Sequence, residues 1–401
     1  MGLPKEWKKQ LDSKWPSGPD NSITDVAGVS VGQVTVKNPK EGKEGEGAAG
    51  INTGVTVVMP HQGNLFQEKV LAGAAVINGF GKSIGLVQVE ELGTIETPIV
   101  LTNTLSVGTA ATALVKYSLE NNPDIGVETG TVNPLVTECN DGRLNDIRGL
   151  HVTEDHVLLA IENAKLAGAA EAECGTAARM VGVVVEEGAV GAGTGMVCFG
   201  LKGGIGTASR KVELKDGSGF TIGALVMSNF GKPGDLVIGG ERVMKRVPAF
   251  WEKNKEQGSE ALHKQGPAEP REQDGSVPLP EQGSIIMILA TDAPLDERQL
   301  KRMARRSGAA LGRVGSYLGN GSGDIAIAFS TANKIPHYSE KSVLDMQMLF
   351  DADIDPIFEG TVEVCEEAII SSLYHAKTTT GVRGNTYMSL LDYMKLAGSK
   401  K

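Results

Sequence analysis

The chain has 401 residues and a formal charge of −10, and no basic stripe with interleaved aromatics offsets that negative field. Such a field repels phosphate backbones, which argues against nucleic acid as a partner and favours a cationic or amino-bearing substrate. Gly is abundant (52 residues), aromatics are scarce (4%), and the 40% of apolar residues are mostly Ala, Val, Ile and Leu. That composition belongs to a folded globular protein, of a length that permits two or three domains or one large α/β domain.

The opening residues MGLPKEWKKQLDSKWPSGPD contain no apolar signal-peptide core. Nowhere do about 18 apolar residues run uninterrupted, so a cytoplasmic protein with no membrane partner is expected. Cys139, Cys174, Cys198 and Cys365 are widely spaced with no CxxC pair, and buried free thiols are the default reading. His61, His151, His156, His263, His337 and His375 form no HExxH or other close pair. The expectation is therefore no metal and no cofactor, and a hydrolase here would work without zinc.

In chain order, SITDVAGVSVGQVTV (Ser22 to Val36) and GVTVVMP (Gly54 to Pro60) alternate apolar and small polar residues and predict strands. KNPKEGKEGEGAAG between them reads as a surface loop. Leu105 to Glu120 has helical spacing, and Thr153 is placed to cap a second helix whose apolar stripe is Val157, Leu158, Ile161 and Ala164. VGVVVEEGAVGAGTGM, KGGIGTASR and FTIGALVMSN (Phe220 to Asn229) are Gly-bounded and β-branched, which predicts a strand-rich middle. Residues 251 to 283 exchange the apolar pattern for charge, Gln and Pro, as an exposed linker does. This ends abruptly at Gly283, where SIIMILATDAPL (Ser284 to Leu295) begins a strongly apolar run. An amphipathic helix with Leu300, Met303, Ala304, Ser307 and Leu311 on one face follows, then a strand over Asp324 to Ala332, a helix from about Pro356 to Ala376 and a short one near Ser389 to Ala397.

A polar linker delivered into a buried strand puts Ser284 at the strand edge behind an accessible peptide bond. If the bond between Gly283 and Ser284 breaks, Ser284 gains an α-amine beside its own Oγ. Such an amine has a reference pKa near 8 and serves as a general base without any histidine. Gly-Ser is also a common loop dipeptide, and Ser284 read alone simply begins a strand. GNGSGD (Gly319 to Asp324) adds Ser322 and Asp324 at the mouth of another strand, where catalytic groups commonly project and where a polar Gly-rich turn looks the same. Asp292 reads better as a cap before the helix than as a catalytic acid, though its nearness to Ser284 keeps it a candidate.

GSIIMILATDAPL, followed by QLKRMARRSG and SGDIAIAFSTA, resembles the peptidase family of L-aminopeptidase D-amidase/D-esterases and β-peptidyl aminopeptidases. NSITDVAGVSVG, TGVTVVMP, NGFGK, ELGTIETPIVLTNTLSVG, TECNDGRLNDI, GTGM, KGGIGTASR and ALVMSNFG extend the resemblance in family order over roughly residues 20 to 385. It implies a four-layer αββα sandwich of the N-terminal-nucleophile hydrolases, formed as one catalytic domain over 1–401. Cleavage after Gly283 would give an N-terminal segment 1–283, carrying the linker 251–283, and a C-terminal segment 284–401 that begins with the nucleophile Ser284. It further implies that Ser322 and Asp324 orient and polarise the serine and that the Asn229 side chain donates to the oxyanion. Glu138 would grip the free amino group of a small peptide, amide or ester. A homo-oligomer, commonly a tetramer, is expected. Read without the family, Asn229 is a turn or cap residue, and Glu138 and Asp141 are solvated loop acids.

Two GxSxG matches, GVSVG at Ser30 and GKSIG at Ser83, raise an α/β-hydrolase as the runner-up. Ser30, however, lies inside a strand pattern, and IGLVQVEEL after Ser83 looks at least as strand-like as helical. GFGKS lacks the earlier Gly of a phosphate loop. Ornithine acetyltransferases share the expected architecture but use threonine at the cleavage point, and a binding protein that never matures is the non-enzymatic alternative. Whether the preferred first residue is an L-α-, D- or β-amino acid is a matter of the pocket walls.

Overall fold

The computed structural model describes residues 11–38, 50–174, 185–243 and 282–398, together with Leu3 and Trp7. After helical residues at Trp7 and Leu11, the described elements run through a 3₁₀ turn, Ile23–Asp25, β1 (Ser30–Asn38), β2 (Ile51–Met59), β3 (Glu68–Gly79), α1 (Leu86–Leu92), β4 (Thr94–Ile95), β5 (Ile99–Asn103), α2 (Val107–Asn121), β6 (Leu135–Cys139) and α3 (Glu154–Cys174). The second half contains β7 (Val197–Cys198), β8 (Leu201–Lys202), β9 (Gly204–Glu213), β10 (Gly219–Asn229), β11 (Val237–Ile238), β12 (Glu241–Arg242), β13 (Gln282–Thr291), α4 (Glu297–Arg313), β14 (Gly321–Pro336), α5 (Asp355–Tyr374) and α6 (Leu390–Gly398).

Two sheets carry the fold. One has four strands in the order β1-β2-β5-β6, the other six in the order β4-β3-β14-β13-β10-β9. β13 shows how the layers arise from sequence. Successive side chains of a strand point to opposite faces, and here Ile286, Ile288 and Ala290 join the core between the sheets, with Val58, Ile99, Leu101 and Leu135 of the four-stranded sheet. Ile285, Met287 and Leu289 point the other way, into a core shared with Leu300, Met303 and Leu311 of α4 and Ile357, Ala368 and Ile369 of α5. A strand covered on both faces needs apolar residues at every position, which explains the unbroken run after Ser284. A third core packs α2 and α3 on the outer face of the four-stranded sheet through Val55, Val57, Ala110, Leu114, Val157 and Ile161. The layers are helix, sheet, sheet, helix, as expected.

Several local readings need correction. Ser22 does not begin a strand: its side chain accepts from the Thr24 N–H in a capping box with Asp25, which winds Ile23–Asp25 into a turn and delays β1 to Ser30. GAVGAGTGM forms no long strand, since Gly191–Gly193 turns as a 3₁₀ segment with Gly191 at φ +50°. The residues after Ser83 are helical, α1 being entered and left through glycines in the left-handed region, Gly85 and Gly93. The loop expected over 37–50, the strand expected at 181–184 and the linker expected over 251–283 fall wholly or mostly on residues outside the described ones.

Candidate active site

The site is assembled where β10, β13 and β14 end together. β13 runs antiparallel to β10 and parallel to β14, and Ser284 is thereby paired with Asn229 on one side and Gly323 on the other. Ser284 is buried, and a Cβ added at Gly323 would collide with the Phe80 carbonyl oxygen at 2.3 Å and crowd the Ser284 Oγ at 3.1 Å, so glycine is required there by the main chain. Gly283 stands at φ +127°, and a side chain on it would collide with the carbonyl oxygen of Asn229. Glycine is therefore required immediately before Ser284 for conformation and for room. One strand over, Ser322 is the partner of Gly283, and its Oγ donates to Asp324 Oδ1 at 2.5 Å. Ser322 and Asp324 are both buried.

Asn229 is the last residue of β10, and its side chain is held at both ends. Oδ1 accepts from the Val197 N–H at 2.9 Å, and Nδ2 donates to the Asn140 carbonyl at 3.0 Å. A donor on one side and a carbonyl on the other fix the orientation of the amide. Nδ2 carries two hydrogens, so the bond to Asn140 leaves a second for another acceptor.

Glu138 comes from the other sheet. β6 lies parallel to β5 with Glu138 opposite Thr102, and only 3% of Glu138 is exposed. Its Oε1 accepts from the Lys82 N–H at 2.9 Å, and its Oε2 accepts from the Thr104 hydroxyl. Thr104 is presented by Asn103, whose side chain caps the turn into α2 by accepting from the N–H groups of Leu105 and Ser106. The NGFGK segment after β3 ties the sheets together here, because the Phe80 N–H donates to the Ser322 carbonyl while the Lys82 N–H reaches Glu138. Among the described residues no ion pair reaches Glu138, so a buried carboxylate with spare lone pairs faces no protein cation.

Burial first, then the charges of Glu138 and Asp324, push the Cys139 thiol well up. That leaves Cys139 a poor nucleophile. Asp141 is not the solvated loop acid that composition suggests: it is fully buried, accepts from Asn145 Nδ2 at 3.1 Å, and burial raises its carboxyl to about 7. Glu138 is likewise buried rather than solvated.

Asp292 is separated from this cluster. It lies just past the far end of β13, where Oδ1 accepts from the Thr221 N–H at 2.7 Å, and the cap of α4 is Asp296. Neither GxSxG serine forms a nucleophile elbow. Ser30 opens β1 with its Oγ accepting from Gln62 Nε2, and Ser83 sits between β3 and α1 with its hydroxyl unpartnered. Thr104, the main chain at Lys82 and Asn140, and Lys202 behind the Asn229 loop are groups that sequence reading did not single out. Among the described residues no group of three or more His, Cys, Asp or Glu is placed to hold a metal ion.

Two face-to-face sheets between helical layers, with a serine near the start of a central strand, define the N-terminal-nucleophile class of hydrolase. Residues 21–387 match the model of peptidase family S58, and the chain belongs to that family, whose members are serine-type aminopeptidases. It is 39% identical to the β-peptidyl aminopeptidase BapA of Sphingosinicella microcystinivorans over 374 residues, covering 93% of this chain and 86% of that one. Among solved structures, a protein of Pyrococcus horikoshii OT3 superposes with a TM-score of 0.78 at 48% identity, covering 97% of both chains. The L-aminopeptidase D-Ala-esterase/amidase of Ochrobactrum anthropi, described as a variant of the Ntn-hydrolase fold, does so with a TM-score of 0.77 at 34% identity, over 99% of this chain and 98% of that one.

Proposed function

We propose that this aminopeptidase cuts its own chain between Gly283 and Ser284 and then uses Ser284 to release N-terminal residues from small peptides, amino-acid amides or esters. The observation that carries the reading is the placing of Ser284 between Asn229 and Gly323, behind a residue that must be glycine. In the first step Ser284 Oγ attacks the Gly283 carbonyl carbon, and the acyl group passes from nitrogen to oxygen. Water then hydrolyses the ester, leaving a carboxylate on Gly283 and a free amine on Ser284. In turnover that amine takes the Oγ proton as Oγ adds to the substrate carbonyl, and returns it to the leaving group. The acyl-enzyme is then hydrolysed.

Ser322 and Asp324, joined at 2.5 Å, orient the serine and its amine. The second hydrogen of Asn229 Nδ2 stabilises the tetrahedral oxyanion. Glu138 takes the ammonium of the substrate and confines cleavage to the first residue. The names of two relatives, both β-peptidyl aminopeptidases, favour N-terminal β-residues among the substrates. We read residues 1–401 as one catalytic domain that assembles as a homo-oligomer, a tetramer, and the buried thiols of Cys139 and Cys365, outside any disulfide, favour the cytoplasm.

The test is hydrolysis of alanine and β-alanine p-nitroanilides, with free and with acetylated amines, by the native chain and by Ser284→Ala. Release from the free amines, about 100-fold slower from the acetylated ones, is expected. Equal rates on both would remove Glu138 from its role, and full activity of Ser284→Ala would remove Ser284.

A further inference from the structure

The KGGIGTASR block contains a lysine that the proposed chemistry does not use. Lys202, the last residue of β8, is fully buried. Its Nζ donates to three main-chain carbonyls, those of Met196 at 2.7 Å, Gly203 at 2.7 Å and Gly193 at 3.1 Å. An ammonium has three donors, and three acceptors use them all. Burial first, then the charge of Lys37, pull its pKa well down, and Cys198 and Asp141 oppose that shift; the three carbonyls on Nζ favour the charged form. A buried charge costs free energy unless it is fully bonded, so a site of this kind calls for a reason.

The reason lies in one peptide group. One of the two carbonyls at 2.7 Å is that of Met196, and the N–H of the same peptide, on Val197, donates to Asn229 Oδ1 at 2.9 Å. A cation at the oxygen end of an amide fixes its plane and withdraws electron density, which makes the N–H at its other end a stronger donor. Asn229 repeats the pattern, since a stronger bond to Oδ1 makes the hydrogens on Nδ2 stronger donors. The ammonium, the 196–197 peptide and the Asn229 amide therefore form a single polarised chain that ends beside Ser284, the Cα partner of Asn229.

We infer that Lys202 is a positioning residue that aims and polarises Asn229 through the 196–197 peptide. It touches no substrate and acts only through that side chain. The inference rests on the reading of Asn229 as oxyanion donor. It is a different role from that of Arg210 in the same block, whose charge meets Glu363 and Glu367.

The experiment is a double-mutant cycle on p-nitroanilide hydrolysis by full-length Lys202→Met, Asn229→Ala and the double variant. Turnover is expressed per processed Ser284, counted by intact mass, and folding is checked by circular dichroism. Lys202→Met is expected to lower kcat about 10- to 100-fold, a part of what one oxyanion donor contributes, with KM within about threefold. In the Asn229→Ala background the same substitution should cost nothing further. Losses that multiply in the double variant, or unchanged kcat in a folded Lys202→Met, would overturn the link from Lys202 to Asn229 and leave the oxyanion reading standing. Unchanged kcat in Asn229→Ala would overturn both. Should Lys202→Met not be recovered folded, Lys202→Gln, which keeps two N–H donors, is read against Asn229→Ala by the same criterion.

Discussion

The two ends of the six-stranded sheet are both polar and both buried, and they use their polar groups in opposite ways. At the far end Thr291 Oγ1 donates to the Thr221 carbonyl at 2.8 Å, the Thr221 N–H donates to Asp292, and Ser330 Oγ donates to the Ala293 carbonyl at 2.6 Å. Arg210 lies there with Nε on Glu363 at 3.0 Å and Nη2 on Glu367 at 2.6 Å, while Glu363 also accepts from the Lys14 N–H. Each group ends on main chain or on an opposite charge, with Ser13 Oγ and Asn21 Nδ2 as further partners of Arg210 and Glu367, and the result is a clamp joining β9, α5 and the N-terminal segment. At the near end a serine hydroxyl faces a glycine and a second serine faces an acid, and Glu138, reaching in from the four-stranded sheet, meets only an N–H and a hydroxyl among the described residues. Burial of a polar side chain therefore does not mark function; the kind of partner that it meets does.

Substitutions at the two ends should divide accordingly. The largest effect expected is on stability, at the far end: Arg210→Met strands two buried carboxylates and should cost about 3–5 kcal/mol in denaturant unfolding, with kcat per folded site unchanged. A kcat loss without a stability loss would break the division. At the near end Asn229→Ala should lower kcat by about 10²–10³, some 3–4 kcal/mol, with little change in KM. Glu138→Gln keeps shape but removes charge, and should lower kcat/KM about 10- to 100-fold for free-amine substrates only. An equal loss on acetylated substrates would make Glu138 structural.

The smallest effect expected is a change of pH slope at Asp141. Burial holds its carboxyl at about 7 in the folded chain, above the 3.8 of an unperturbed aspartate, so the folded state keeps a proton that the unfolded state has lost. The stability this confers is complete below the unfolded pKa and is lost as pH rises through about 7. Relative to Asp141→Asn, the native chain should lose stability between pH 5 and pH 8, with a slope of at most about 1.4 kcal/mol per pH unit. Unfolding midpoints of both chains across that range check it, and parallel curves would contradict it.

Much of this was legible in the residues because it depends on local pattern. A continuous apolar run reads as a doubly covered strand whatever surrounds it, and Ser284, Ser322 and Asp324 each open such a strand. Asp292 misleads because nearness along the chain is not nearness in space: a strand advances about 3.3 Å per residue, so eight residues carry it to the opposite end of the sheet. Glu138 belongs to the other sheet, and only the resemblance linked it to Ser284, since no spacing reports how two sheets are stacked. Lys202 was invisible for another reason. Its three acceptors are main-chain carbonyls, which every residue possesses, and a Gly-rich stretch looks the same whether or not it wraps a cation.

The central claim, that Ser284 becomes an N-terminal nucleophile, is tested most directly by intact-mass spectrometry of the denatured protein beside Ser284→Ala. The account predicts two fragments in the native protein, divided between Gly283 and Ser284, and one uncut chain in the variant. A single intact chain in both, with full hydrolytic activity in the variant, would contradict it.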